Sequence, residues 1–172
     1  MKKLTVYLLI TSLALAFPTL SGGCEGGNNA ADMARAKEFM QTGDEWMAKV
    51  EADFQIILET RSEMMDKATG DDAHLRADEI DEIADNLESA SNIMANSLKQ
   101  ARAAYQEIKS LEDARDYKEY AITMLEMIAE YEASSSMRQS LDLQSAATPA
   151  ASENNLNSLK QKAEAIKSEK KL

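Results

Sequence analysis

Residues 36–68, AKEFMQTGDEWMAKVEADFQIILETRSEMMDKA, decide the fold. Apolar or small residues return in alternating steps of four and three: Ala36, Met40, Gly43, Met47, Val50, Phe54, Ile57, Met64 and Ala68, with Arg61 in the remaining place. Phe39, Leu58 and Met65 widen the stripe. This spacing turns one helical face steadily toward a partner, the pattern of a long bundle or coiled-coil helix. It predicts a helix from near Asn28 or Asn29, either of which can cap free N–H groups, to about Ala68. Two places break the apolar rule. Gly43 costs about 1 kcal/mol relative to alanine in a helix interior and marks a close helix contact or a kink. Arg61 requires a carboxylate partner or a route to solvent along its long stem.

Outward from that helix, Thr69-Gly70-Asp71-Asp72 reads as a stop and a restart. Gly70 suits a left-handed C-terminal cap, and Asp71 or Asp72 suits the next N-cap. The second helix is expected over Ala73–Leu111, with the seam Ile80, Ile83, Leu87, Ala90, Met94, Ser97, Ala101, Ala104, Ile108, Leu111. Each long helix should measure about 55 Å, and the short turn between them makes an antiparallel hairpin. Past Leu111 the stripe resumes out of phase as Tyr117, Ala121, Met124, Ile128, Tyr131. A tight turn is expected there, with Ser110 and Asp113 as a capping box, and a single bent helix as the alternative. The third helix is expected to run to about Leu143. SAATPAAS (145–152) reads as a linker around Pro149, after which Ser152 caps a last short helix carrying Leu156, Leu159, Ala163 and Ile166.

The composition supports this. Only Gly43 and Gly70 follow Gly27, the prolines are Pro18 and Pro149, and Ala, Glu, Lys, Leu, Met and Gln dominate. These residues lose little rotamer freedom in a helix. The expected fold is all-α: an elongated antiparallel helical bundle of three long helices plus a short C-terminal helix.

The chain opens with Lys2 and Lys3, an apolar run over Leu4–Phe17, and then Pro18-Thr19-Leu20-Ser21-Gly22-Gly23 before the only cysteine, Cys24. A basic start, a short apolar run and small residues before a cut site make a secretory signal peptide. The stretch Leu20-Ser21-Gly22-Gly23-Cys24 resembles the lipobox of bacterial lipoproteins. That resemblance covers only this segment and implies that Cys24 is lipidated and becomes the mature N-terminus. Ser21 stands where the pattern has a large aliphatic residue. Ordinary cleavage after Gly23 is the alternative, but it would leave an unpaired thiol in a secreted chain. The expected divisions are residues 1–23 as signal peptide, 24–31 as lipidated cysteine and tether, 32–145 as helical bundle, 146–152 as linker and 153–172 as a basic amphipathic helix. Removing the signal takes two of the 19 basic residues and none of the 30 acidic ones, which leaves a net charge of −13. That acidity excludes nucleic acid, which needs a basic face. It also keeps the body itself off an anionic membrane.

Candidate chemistry is sparse. His74 beside Asp71 and Asp72 lacks the further Cys or His ligands that a metal site needs, and reads as a solvated first-turn residue. The acidic run Asp78, Glu79, Asp81, Glu82, Asp85, Glu88 lacks the order of a calcium loop, and acids early in a helix suit its dipole. Met40, Met47, Met64, Met94 and Met124 lie on seams, where methionine fills gaps, and Met124–Met127 alone is too little for copper(I). Trp46 lies off the main seam and either covers the bundle edge or anchors a partner. A Ser/His/Asp arrangement and a phosphate-cradling loop have no support. No catalytic, metal or cofactor residue is assigned, and the one modification site is Cys24.

The reading is therefore a cell-envelope protein outside the cytoplasm, held to a membrane through lipid on Cys24. Its body is a non-enzymatic structural or adaptor bundle with an unidentified protein partner, and a homo-oligomer is open. The alternative is an extracytoplasmic ligand-sensing four-helix bundle, with a pocket near Gly43 and the alanine-rich half of the second helix. The tail, residues 153–172, carries a net charge of +2 and a short seam, so weak, exchangeable docking on the body is expected.

Overall fold

The computed structural model describes residues 28–69, 73–139 and 149–172. Cys24, Gly70, Asp71, Asp72 and residues 140–148 lie outside them. Among the described residues all regular structure is helical: α1 (Asn28–Ala68), a 3₁₀ turn (Ala73–Arg76), α2 (Ala77–Ser110), α3 (Arg115–Gln139) and α4 (Pro149–Lys170). The first hairpin packs α1 along α2, the second packs α3 along α4, and α2 lies against α3. Side chains of α4 reach α1 across the remaining side. The result is an antiparallel four-helix bundle.

Most of the expected seam positions enter the core, while Ala68 at the end of α1 is exposed. On α1 the residues Ala36, Met40, Met47, Val50, Phe54, Ile57 and Met64 are buried, and Arg61 is half-buried. On α3 all five seam positions from Tyr117 to Tyr131 are buried, together with Tyr120, Thr123 and Met127. Those extra residues reflect a helix that must cover neighbours on more than one side. Leu98 and Tyr105 widen α2 for the same reason. Leu87 and Ala90, expected on the α2 seam, are only half-buried.

Three boundaries differ from expectation. The second helix opens with a 3₁₀ turn, so its α-helical part starts at Ala77 rather than Ala73 and closes at Ser110, with Leu111 extended as its C-cap. The turn into α3 forms, but not with a Ser110–Asp113 capping box. Ser110 Oγ donates back to the Glu107 carbonyl at 2.7 Å. Asp32 of α1 accepts instead from the backbone N–H groups of Glu112 at 3.2 Å and Asp113 at 3.3 Å. A carboxylate from another helix thus serves the free donors that a local cap would have served. Finally, α4 begins at Pro149, inside the expected linker 146–152. Proline suits a first helical turn, where its missing N–H is not needed.

The tail packs on the body: Leu156, Ala163 and Ile166 are buried in the common core, and Leu159 packs against it. Its lysines pair alternately with the two helices that flank it. Lys160 meets Glu51 at 3.0 Å and Lys167 meets Asp44 at 2.7 Å on α1; Lys162 meets Glu126 at 3.4 Å and Lys170 meets Asp116 at 3.5 Å on α3. A helix marginal in isolation is secured by packing its apolar face, and the groove over α1 and α3 supplies that surface.

Candidate functional site

Gly43 and Asp44 sit where the four helices converge. A methyl group on Gly43 would lie 2.6 Å from Cζ of Tyr105, so the glycine exists to admit the tyrosine ring. Forcing a side chain in there would cost about 1–3 kcal/mol by overpacking. The phenol of Tyr105, on α2, donates to Asp44 Oδ1 at 2.7 Å, and that of Tyr120, on α3, donates to the same oxygen at 2.7 Å. Lys167, on α4, donates to Asp44 Oδ2 at 2.7 Å. One carboxylate on α1 therefore holds a side chain from each other helix. The two rings meet edge-on at 6.2 Å, and the Lys167 ammonium stands 5.3 Å from the Tyr120 ring centre. Burial first, and then the Asp44 charge, push both phenols well above the ordinary tyrosine range. They stay protonated and act as donors. Every polar side-chain atom in the knot has a partner in the bundle.

The pocket expected near Gly43 is consequently filled by Tyr105. Among the described residues a groove of about 500 Å³ opens elsewhere, lined by residues of α1, α3 and α4. Phe54 and Tyr131, both buried in the core beside it, meet ring edge to ring face at 5.1 Å and 81°. Leu58, Glu51, Glu153 and Lys160 also line it. Burial alone would lower the Lys160 ammonium, but Glu51 and Tyr131 outweigh that and hold it above the ordinary lysine value.

The other sequence candidates are scattered. Among the described residues no three His, Cys, Asp or Glu side chains are grouped to hold a metal ion. Most of the acidic run on α2 is exposed, and Glu79 pairs with Lys67 of α1 at 2.6 Å. Met40, Met47, Met64, Met94, Met124 and Met127 are buried among apolar neighbours. Trp46 is half-buried against the core edge, with the Lys49 ammonium 3.7 Å from the centre of its ring. Asp53 lies 3.5 Å from the Ser97 hydroxyl, and burial raises its carboxyl above the usual range.

Asp44 was not legible as a site residue. The available signal was an acid next to the anomalous seam glycine, together with Tyr105 and Tyr120, whose hydroxyls need partners once buried. Comparison with protein-family models, curated proteins and solved structures finds no match for this chain.

Proposed function

We propose that this protein is a lipid-anchored cell-envelope lipoprotein whose body is a non-enzymatic structural or adaptor bundle. The observation that carries the reading is the lipobox-like Leu20-Ser21-Gly22-Gly23-Cys24, whose cysteine stands four positions before Asn28, the first residue of α1. The 41 residues of α1 rise about 61 Å, so the α1–α2 turn stands far from the anchored end. The knot at Asp44 supports the same reading, since it spends the convergent polar groups on holding the four helices in place. Among the described residues no helix is long and apolar enough to cross a membrane. Lipid chains contribute about 0.8 kcal/mol per buried CH₂, and more than one chain makes anchoring stable.

Mass spectrometry of envelope-derived protein tests the anchor. The expected species begins at Cys24 and carries acyl mass, and Cys24→Ser should be poorly processed or released in soluble form. Mature protein with an unmodified Cys24 would refute the lipoprotein reading. Pull-down from detergent-solubilised envelope, with the α1–α2 end as bait surface, is the route to a partner.

A further inference from the structure

The surface that α4 packs on continues past the end of α4. Asp44, Glu51, Leu58 and Met65 recur every seven residues on α1 and so share one face. Lys167 and Lys160 of α4 meet the first two, and Leu58 lines the groove beside Leu156. By that register α4 begins level with Ser62, which leaves Met65 beyond it. On α2 the matching line descends from Tyr105 and Leu98, in the common core, to Leu87 and Ile80. The Lys67–Glu79 pair sets Ile80 level with Met65. Met65 is exposed, and Leu58, Ile80 and Leu87 are half-buried. A stripe that is covered lower down therefore keeps accessible apolar surface here.

Each of those four apolar residues is followed in the sequence by an exposed acid: Glu59, Asp66, Asp81 and Glu88. One residue turns about 100° around a helix, so the carboxylates flank the apolar line. Among the described residues no ion pair engages these four. Lower down, α4 shows what this surface accepts: leucine and isoleucine enter the seam, and lysines meet the acids beside it. A second copy of the same acidic end is repelled, and the chain's own residues 140–148 carry one acid and no base.

We propose that the far end of the α1–α2 hairpin docks a short, basic amphipathic helix of a partner protein, laid in the place that α4 leaves open. Its apolar side rests on Met65, Ile80 and Leu87, and its lysines or arginines meet Asp66, Asp81 and Glu88. Such docking rests on the adaptor reading of the bundle, gives it the chemistry of its partner, and is independent of lipid on Cys24.

The test is amide NMR of the full mature chain titrated with a lysine-rich peptide whose leucines recur in alternating steps of three and four. A length of about 15 residues lets that peptide form a helix. A scrambled peptide of the same composition and a version with glutamate for lysine are the comparisons. Saturable shifts are expected around Met65, Ile80 and Leu87 with the first peptide, several-fold weaker with the scrambled one and absent with the glutamate version. Met65→Gln should weaken binding several-fold, while Ile93→Gln, exposed on another side of α2, should leave it unchanged. Thermal melts establish that both variants fold. Equal binding of the scrambled peptide would reduce the attraction to bulk charge and overturn the proposal. Shifts confined to another surface, no shifts at all, or a Met65→Gln variant that binds as well would overturn it too. Self-association of the chain that Met65→Gln abolishes would assign the surface to a second copy instead. A partner recovered from envelope equally by wild type and by Met65→Gln would keep the adaptor reading and move its surface elsewhere.

Discussion

The two halves of the long hairpin carry the same seam and end in different states. From about Phe39 to about Ser62, α1 runs beside α2, α3 and α4, by the register that Asp44 and Glu51 set with those helices. Val50, Tyr105, Ile108 and Ile128 there are fully shielded from solvent. Beyond that level the described residues form a two-helix tip. The pairs Asp44–Lys167 and Glu51–Lys160 advance by equal steps in opposite directions. Continuing that register puts Pro149, the start of α4, level with Ser62. In the tip Met64 and Ile83 are buried, Ile80 and Leu87 are half-buried, and Met65 and Leu75 are exposed. The charge divides the same way: residues 59–88 hold 11 acidic and three basic side chains, a net of −8. A heptad stripe thus reports which face can be buried, while the number of helices packed on it determines how far it is.

Removing α4 should have the largest effect. Deleting residues 149–172 forfeits the burial of Leu156 and Ile166, worth about 3–6 kcal/mol for two large aliphatic side chains. Urea unfolding followed by circular dichroism should show the midpoint fall sharply. An unchanged midpoint would mean that the four-helix section is no more coherent than the tip. Next comes a matched pair across the boundary. Ile57→Ala should cost about 2–5 kcal/mol, as a buried site does. Leu87→Ala, half-exposed in the tip, should cost about 1 kcal/mol. Equal losses would erase the contrast between the two regions.

Asp44→Ala leaves two phenols and an ammonium without their acceptor. A buried donor left unpaired costs about 1–3 kcal/mol, so chemical denaturation should report a loss of that order. Asp44→Asn should recover part of it by keeping an acceptor oxygen. Alkaline pH sharpens the same point. Tyr105 and Tyr120 have folded pKa values raised above the unfolded value by burial and by Asp44. Above pH about 10 the unfolded chain loses phenolic protons that the folded one retains. Stability should therefore fall with rising pH, by up to about 1.4 kcal/mol per pH unit for each phenol. Replacing either with Phe should flatten that slope, read from urea midpoints between neutral and alkaline pH. No change in slope would show that the phenols are not sequestered in the folded state.

The last helix is the instructive difference between expectation and structure. Leu156, Ala163 and Ile166 were legible as one face, and the lysines as a basic surface. Their acidic counterparts Glu51, Asp44, Glu126 and Asp116 lie far away in the chain, so their alternation on either side of α4 was not. The same holds for the turn after α2. Its local candidate cap, Ser110, is used elsewhere, and the carboxylate that serves it comes from Asp32, roughly eighty positions earlier.

By itself the sequence determined the helical class, the phase of the main seams and the antiparallel hairpin. These follow from interactions local in the chain: periodicity of burial, rotamer freedom and the chemistry of turns. Only the tertiary structure decided that Gly43 makes room for Tyr105 and that Asp44 joins all four helices. Each depends on side chains brought together from distant parts of the chain. A one-dimensional pattern states which faces seek burial, but the pairing of those faces is set by how four of them close around a common core.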